Sequence, residues 1–250
     1  METSKRGCPK HGEAMQAKPA GAAYKCSGCE EMGFGSSYQC GNMDCNYILH
    51  ENCANGVSHA LHKFLPDSKF EFYEKPPGYP RYCDGCGKDV VGFVYHCIRT
   101  SHDLHPCCLN LNERISDEEG SVTLELCEKV PSKCVKCKRI TVEKGIQGWS
   151  YVSSEGKYCY HVSCVKKLIL EKWEKGYFSQ ETNPTMAESS QVADRNNGLE
   201  IVQSGAVSRR SRKMKKITKI AVLVFKLIVS AIFGNPVIAI AGLVEALFSG

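Results

Sequence analysis

Three pairs of cysteines share one spacing: Cys26-Ser-Gly-Cys29, Cys83-Asp-Gly-Cys86 and Cys134-Val-Lys-Cys137. Each is followed, 19 to 24 residues on, by a His-x-x-Cys pair: His50-Glu-Asn-Cys53, His105-Pro-Cys-Cys108 and His161-Val-Ser-Cys164. Two thiolates from one tight turn, with an imidazole and a thiolate from the start of a helix, make the donor set of a tetrahedral Cys3His zinc site. The Cys-x-x-Cys starts lie 57 and 51 residues apart and the histidines 55 and 56, so one unit recurs three times in one order. Four protein donors leave no open position on the metal, so the expected role is structural rather than catalytic.

The first unit carries four more candidates: His11 before it, Cys40 and Cys45 inside it, and His59 after it. Together they predict a second, interleaved site, for about four zincs in the chain. In the second unit this site is eroded: His62 and Cys97 remain, nothing replaces Cys45, and His102 is not expected to substitute. In the third unit, Tyr151 and Val152 stand near where a further cysteine is expected. Cys8, Cys107, Cys127 and Cys159 are read as small buried side chains.

The elements that must position these donors are short. Gly28, Gly85 and Gly87 suit tight turns around the Cys-x-x-Cys pairs. Val90–Tyr95 and Gly148–Val152 read as strands, and a helix follows each His-x-x-Cys, most visibly through Val162, Val165, Leu168, Ile169 and Trp173. The chain has 250 residues, 16 Cys and 8 His, and its apolar fraction of 42 % counts those cysteines. A further 23 apolar residues crowd into Ile217–Phe248. The remainder is too poor in apolar mass for one large core, so small metal-stapled α+β modules are expected instead. Residues 1–58, 59–112 and 113–178 are read as three such modules, the third partial, followed by a flexible linker over 179–208. Met1 leads into no apolar stretch, which predicts an intracellular protein whose cysteines bind metal rather than form disulfides.

Around these motifs lie His59-Ala-Leu-His62, Tyr38-Gln-Cys40, Tyr95-His-Cys97, Ile48-Leu-His50 and Asp103-Leu-His105. The layout resembles the C1-type zinc finger, the phorbol-ester and diacylglycerol class, in the divergent form of plant cysteine- and histidine-rich proteins. The resemblance covers about residues 11–178 and implies zinc-held α+β modules that serve signalling. The third copy keeps the Pro131 and Gln147-Gly148 of lipid-binding members, and the second keeps Pro80 but has His96 for the Gln. Glu143 and Lys144 stand where apolar loop tips are usual, so diacylglycerol is not the main ligand expected. The alternative is a nuclear chromatin reader: residues 26–86 also fit the PHD-finger spacing, with Cys83 and Cys86 completing the cross-brace.

The tail has its own chemistry. Arg209–Lys216 holds six basic residues in eight, and an apolar run follows from Ile217 to Phe248. A helix over Ile220–Phe233 is interrupted by Gly234-Asn-Pro236, after which a second helix is expected through about Leu247. Neither half alone spans a hydrocarbon core of about 30 Å. A kinked helix over the whole run, or two halves lying in the interface, would tether the chain, the basic cluster meeting anionic headgroups on the cytoplasmic face. The same cluster also fits a nuclear-import signal.

Net charge is +5, but residues 1–178 carry 23 basic and 22 acidic side chains, so the modules are not a nucleic-acid surface. No nucleophile and base stand at a recognisable spacing. The expectation is a non-enzymatic zinc-binding interaction protein, its modules binding a protein or lipid partner and its tail reaching a membrane.

Overall fold

The computed structural model describes residues 6–19, 23–78, 80–142, 146–174 and 207–233, with backbone alone for 172–174 and 207–219. Of the linker expected over 179–208, residues 179–206 lie outside the described residues, as does the second tail helix, and residues 207 and 208 are helical instead.

Three antiparallel sheets follow one another. The first has the order β1 (Gln16–Lys18), β4 (Ser37–Gln39), β5 (Ile48–His50), beside a two-stranded ribbon of β2 (Tyr24–Lys25) and β3 (Met32–Gly33). The second runs β6 (His59–His62), β7 (Leu65–Tyr73), β8 (Val94–His96), β9 (Asp103–Leu104). The third runs β10 (Arg114–Ser116), β11 (Thr123–Cys127), β12 (Ser150–Ser153), β13 (Cys159–His161). The last two strands of the first and third sheets share a register: Ser37 faces His50, and Ser150 faces His161. A helix begins on the residue after each motif histidine: α1 (Glu51–Ala54), α2 (Pro106–Leu109) and α3 (Val162–Glu174). Pro106 opens α2, where a missing amide hydrogen costs nothing.

The strands expected over Val90–Tyr95 and Gly148–Val152 start later, at Val94 and Ser150. The reason lies between modules. The Phe93 amide donates to the carbonyl of Gly28 at 2.9 Å, and the Trp149 amide donates to the carbonyl of Gly85 at 2.8 Å. Each residue leaves its own sheet to dock on the Cys-x-x-Cys turn of the module before it. The glycines allow the approach: a Cβ on Gly28 would stand 2.4 Å from the Phe93 ring, and one on Gly92 would stand 1.9 Å from the Gly28 carbonyl oxygen. Buried tyrosines brace the same junctions, Tyr95 Oη donating to the Val57 carbonyl and Tyr151 Oη to that of Asn112, both at 2.8 Å.

The last element is α4 (Val207–Phe233). Its buried residues Val224, Phe225, Ile228, Val229 and Ile232 form one helical stripe, with Lys226 exposed on the other side. The stripe joins the main hydrophobic core: Phe225 meets Tyr160 of the third module, and Phe233 meets Phe34 of the first, ring centroids 5.0 Å apart. The described part of the tail therefore covers its apolar face with the modules. No helix among the described residues is long and apolar enough to cross a membrane.

Candidate zinc centres

The cysteine turns are built alike. The amide of the first cysteine donates to a carbonyl five residues on (Cys26 to Glu31, Cys83 to Lys88, Cys134 to Arg139, all 2.9 Å). The residue after the second cysteine adopts a left-handed conformation: Glu30 at φ 63°, Gly87 at 70° and Lys138 at 60°. The residue after the first cysteine is pinned too, the amides of Ser27, Asp84 and Val135 donating to the carbonyls of Ile48, Asp103 and Cys159 on the strand that leads to each histidine. These bonds carry each turn to the start of its helix, where the histidine waits.

Three clusters result: Cys26, Cys29, His50 and Cys53; Cys83, Cys86, His105 and Cys108; Cys134, Cys137, His161 and Cys164. Within each, the ligand atoms lie within 4.8 Å of one another. The histidine Nδ1 faces the thiols, 3.3 Å from Cys29, 3.5 Å from Cys86 and 3.3 Å from Cys137. On the far side of the ring, Nε2 stands 3.1 Å from the Asp89 carbonyl in His105 and 2.9 Å from the Ile140 carbonyl in His161. A carbonyl only accepts, so Nε2 carries the hydrogen and Nδ1 is left with its lone pair toward the sulfurs. Backbone amides of His50, His105 and His161 donate to Cys26, Cys83 and Cys134 at 3.4–3.5 Å, as thiolate sulfurs require.

The fourth cluster corrects the sequence expectation. It gathers Cys8, His11, Cys40 and Cys45. His11 Nδ1 lies 3.4 Å from Cys40 and 3.6 Å from Cys8, and Cys8 lies 3.7 Å from Cys45. His59 is exposed on β6, facing Glu71 across the ladder, and takes no part. Cys8, read as a buried bystander, stands in its place; the signal was Cys8-x-x-His11, a ligand pair in reverse order. The PHD-finger alternative is overturned by the same pairing. It needs Cys40 and Cys45 to join Cys83 and Cys86, and the two pairs sit in different clusters.

In the second module the interleaved site is gone. Ser68 Oγ bonds His102 Nδ1 at 2.7 Å and Thr100 at 2.8 Å beside the buried Cys97, so a hydroxyl network fills the place of a metal. His62 stacks on Trp149 instead, ring centroids 4.3 Å apart.

The charge of the clusters fits a dication. The hydrogen bond from Cys164, against the opposing effect of burial, pulls Cys134 down to about 3 and pushes Cys164 up. Hydrogen bonding with Cys108 likewise drives Cys86 down, and the Cys107, Cys83 and Cys86 sulfurs drive Cys108 up. Thiols this close cannot all ionise without a cation among them. Zinc, when bound, supplies that charge and a tetrahedral geometry, and each Cys3His centre keeps about −1.

That residual charge meets a feature sequence reasoning missed. Lys166 of α3 is 5 % exposed, and its Nζ lies 3.5 Å from Cys107 and Cys108 and 3.1 Å from Glu31. Glu31 also pairs with Lys88 at 2.6 Å. Burial opposes ionisation of Glu31, but Lys166, His105 and Lys88 outweigh it and hold the carboxyl low. A lysine of the third module thus donates directly to sulfurs of the second and to a carboxylate of the first.

Compared with known proteins, the family model of the C1 domain matches residues 9–54. That match and the four Cys/His clusters fit C1-like zinc fingers, which are binding modules. No curated protein and no solved structure matches the chain.

Proposed function

We propose that the chain is a non-enzymatic interaction protein in signalling, a zinc-built array of three C1-like modules that binds a protein or lipid partner. The observation that carries this reading is the repeat of closed Cys3His clusters joined head to tail by glycine–amide contacts. Closed centres favour scaffolding over chemistry, and the stacked turns hold binding loops at fixed separations. The partner would meet exposed loop residues such as Met43 and Ile98, which are 99 % and 72 % exposed at matching places in the first two modules. Affinity capture with the zinc-loaded full chain, repeated after chelation, tests the scaffold role. Partners lost on chelation are expected; partners kept equally well by the metal-free chain would end it.

Membrane tethering at a cytoplasmic face belongs to the same proposal. It draws on Arg209–Lys216 at the start of α4 and on the apolar run that follows. With the stripe of α4 buried, attachment rests on the basic cluster and on residues after Phe233. Flotation of the full chain with anionic and neutral vesicles decides it. Anionic-only flotation that disappears when the six basic residues are neutralised is expected; no flotation on either sinks the tether.

A further inference from the structure

The last helix carries charge of one sign. The sequence of α4 holds eight lysines and arginines and no carboxylate, and seven of the eight stand before Ile220. A cationic half thus leads into an apolar half, where from Ile220 to Phe233 only Lys226 and Ser230 are polar. A surface helix of a globular protein shows one apolar stripe and a polar back. The second half of α4 is apolar all round, so a single flat surface cannot cover it.

In the free chain the modules cover one side of it. The stripe from Val224 to Ile232 is buried, whereas Ile220, Val222, Leu223, Leu227 and Ala231 are half-buried. Lys226 is exposed and has no ion-pair partner among the described residues. The seat itself is apolar: α4 lies against α3 and β10, with Phe225 on Tyr160 and Phe233 on Phe34. Such a seat can be exchanged for another apolar surface without stranding a buried charge. α4 contains no Cys or His, so its departure takes no donor from the zinc centres. Residues 175–206 join it to α3, a connection long enough for the helix to leave while the modules stay folded. A partner that completes the coverage must offer apolar walls on more than one side and negative charge toward the Arg209 end. Acidic proteins that enclose a basic amphipathic helix in apolar grooves have that chemistry.

We propose that α4 is the docking helix for an acidic protein that closes apolar grooves around it, its carboxylates meeting Arg209–Lys216 and its grooves taking Ile220–Phe233. The inference adds a partner to the interaction role above. It shares the basic cluster with the membrane tether but does not rest on it, since partner and anionic surface compete for one helix. The probe is calmodulin, whose lobes open apolar grooves when calcium binds, added to the full chain at four zincs. Native mass spectrometry and calorimetry should show one calcium-loaded calmodulin per chain, with a Kd of about 1 µM or tighter, and no complex with the calcium-free form. R209Q/R210Q/R212Q/K213Q/K215Q/K216Q should weaken binding by about tenfold or more. K226E reverses one charge on the exposed side, leaves the buried stripe alone and should weaken binding too. K18Q/K69Q, which removes two exposed lysines elsewhere, should not. If the sixfold variant loses zinc, K226E decides. Release of the chain from anionic vesicles by calcium-loaded calmodulin would place both occupants on α4, as expected. No complex at four zincs, or weakening by K18Q/K69Q equal to that of the α4 variants, would overturn the proposal. Flotation on anionic vesicles with no calmodulin complex would also overturn it while leaving the tether standing; a complex without flotation would sink the tether and keep the docking helix.

Discussion

At the scale of single residues, the protein puts strain and charge beside its metal donors. Lys138 holds a left-handed backbone at φ 60° where Gly87 serves in the preceding module. A side chain in that conformation costs about 1–2 kcal/mol, part of which glycine returns through its freedom in the unfolded chain. Lys138→Gly should therefore stabilise the zinc-loaded protein by about 0.5–1 kcal/mol in chemical denaturation. Lys166 carries a heavier load. With Nζ buried against Glu31, Cys107 and Cys108, its loss leaves the Glu31 carboxylate with Lys88 alone and the buried sulfurs uncompensated. Lys166→Met should cost about 3 kcal/mol or more, and Glu31→Gln made with it should recover part of that loss. Strict additivity in this cycle would mean the pair is not coupled. Protonation of the thiols gives a pH dependence of defined sign. In the metal-free clusters Cys29 and Cys53, Cys108, and Cys164 all lie above the ordinary thiol range, through hydrogen bonds with neighbouring sulfurs and burial. These thiols lose their protons when zinc enters, so affinity rises with pH and falls in acid. Calorimetry in buffers of different ionisation enthalpy should show about one to two protons released per zinc at neutral pH.

At the scale of elements, the junctions depend on glycine. Gly92→Ala would drive a Cβ to 1.9 Å from the Gly28 carbonyl, and Gly28→Ala would place one at 2.4 Å from Phe93. Gly85→Ala meets Trp149 at 3.0 Å, a contact small shifts can relieve. The expected order of destabilisation is Gly92→Ala, then Gly28→Ala, then Gly85→Ala, with the first two costing about 1–3 kcal/mol or more. Limited proteolysis should find the new sensitivity between the first and second modules for the first two. Much of each element was legible beforehand. The paired motifs located the three turns and the three helix starts, because a metal site fixes its ligand spacing regardless of what surrounds it. The docking role of Gly92-Phe93 and Gly148-Trp149 was not legible, since an aromatic after glycine reads as a strand until the neighbouring module is in view. His59 reads as a ligand on type and proximity alone; on β6 it is exposed opposite Glu71, and Cys8 comes in from the other side. Lys166 was hidden for the same reason, since its three partners come from two other modules.

At the scale of the whole molecule, the second and third modules and α4 share one core, which the first module joins through Phe34 while keeping a smaller core of its own around Leu49 and Phe93. Each sheet is too small to stand without its metal, and the junction contacts and α4 add the apolar burial that the modules lack singly. The helix is a structural member as far as Phe233. Phe225→Asp, which puts a charge into a position 1 % exposed, should release it and expose apolar surface to a fluorescent dye while zinc content stays at four. An unchanged dye signal would mean the stripe is not docked in solution. Ser36 stands in the first module where Phe93 and Trp149 stand in the others, and Lys136 replaces the receiving glycine in the third.

The most direct test of the account is native mass spectrometry of the full chain and two variants. Four zincs are expected in the unaltered protein, three in Cys8→Ser and four in His59→Ala. Three zincs in the unaltered chain, or a zinc lost with His59 and kept without Cys8, would contradict the fourth centre and the module architecture built on it.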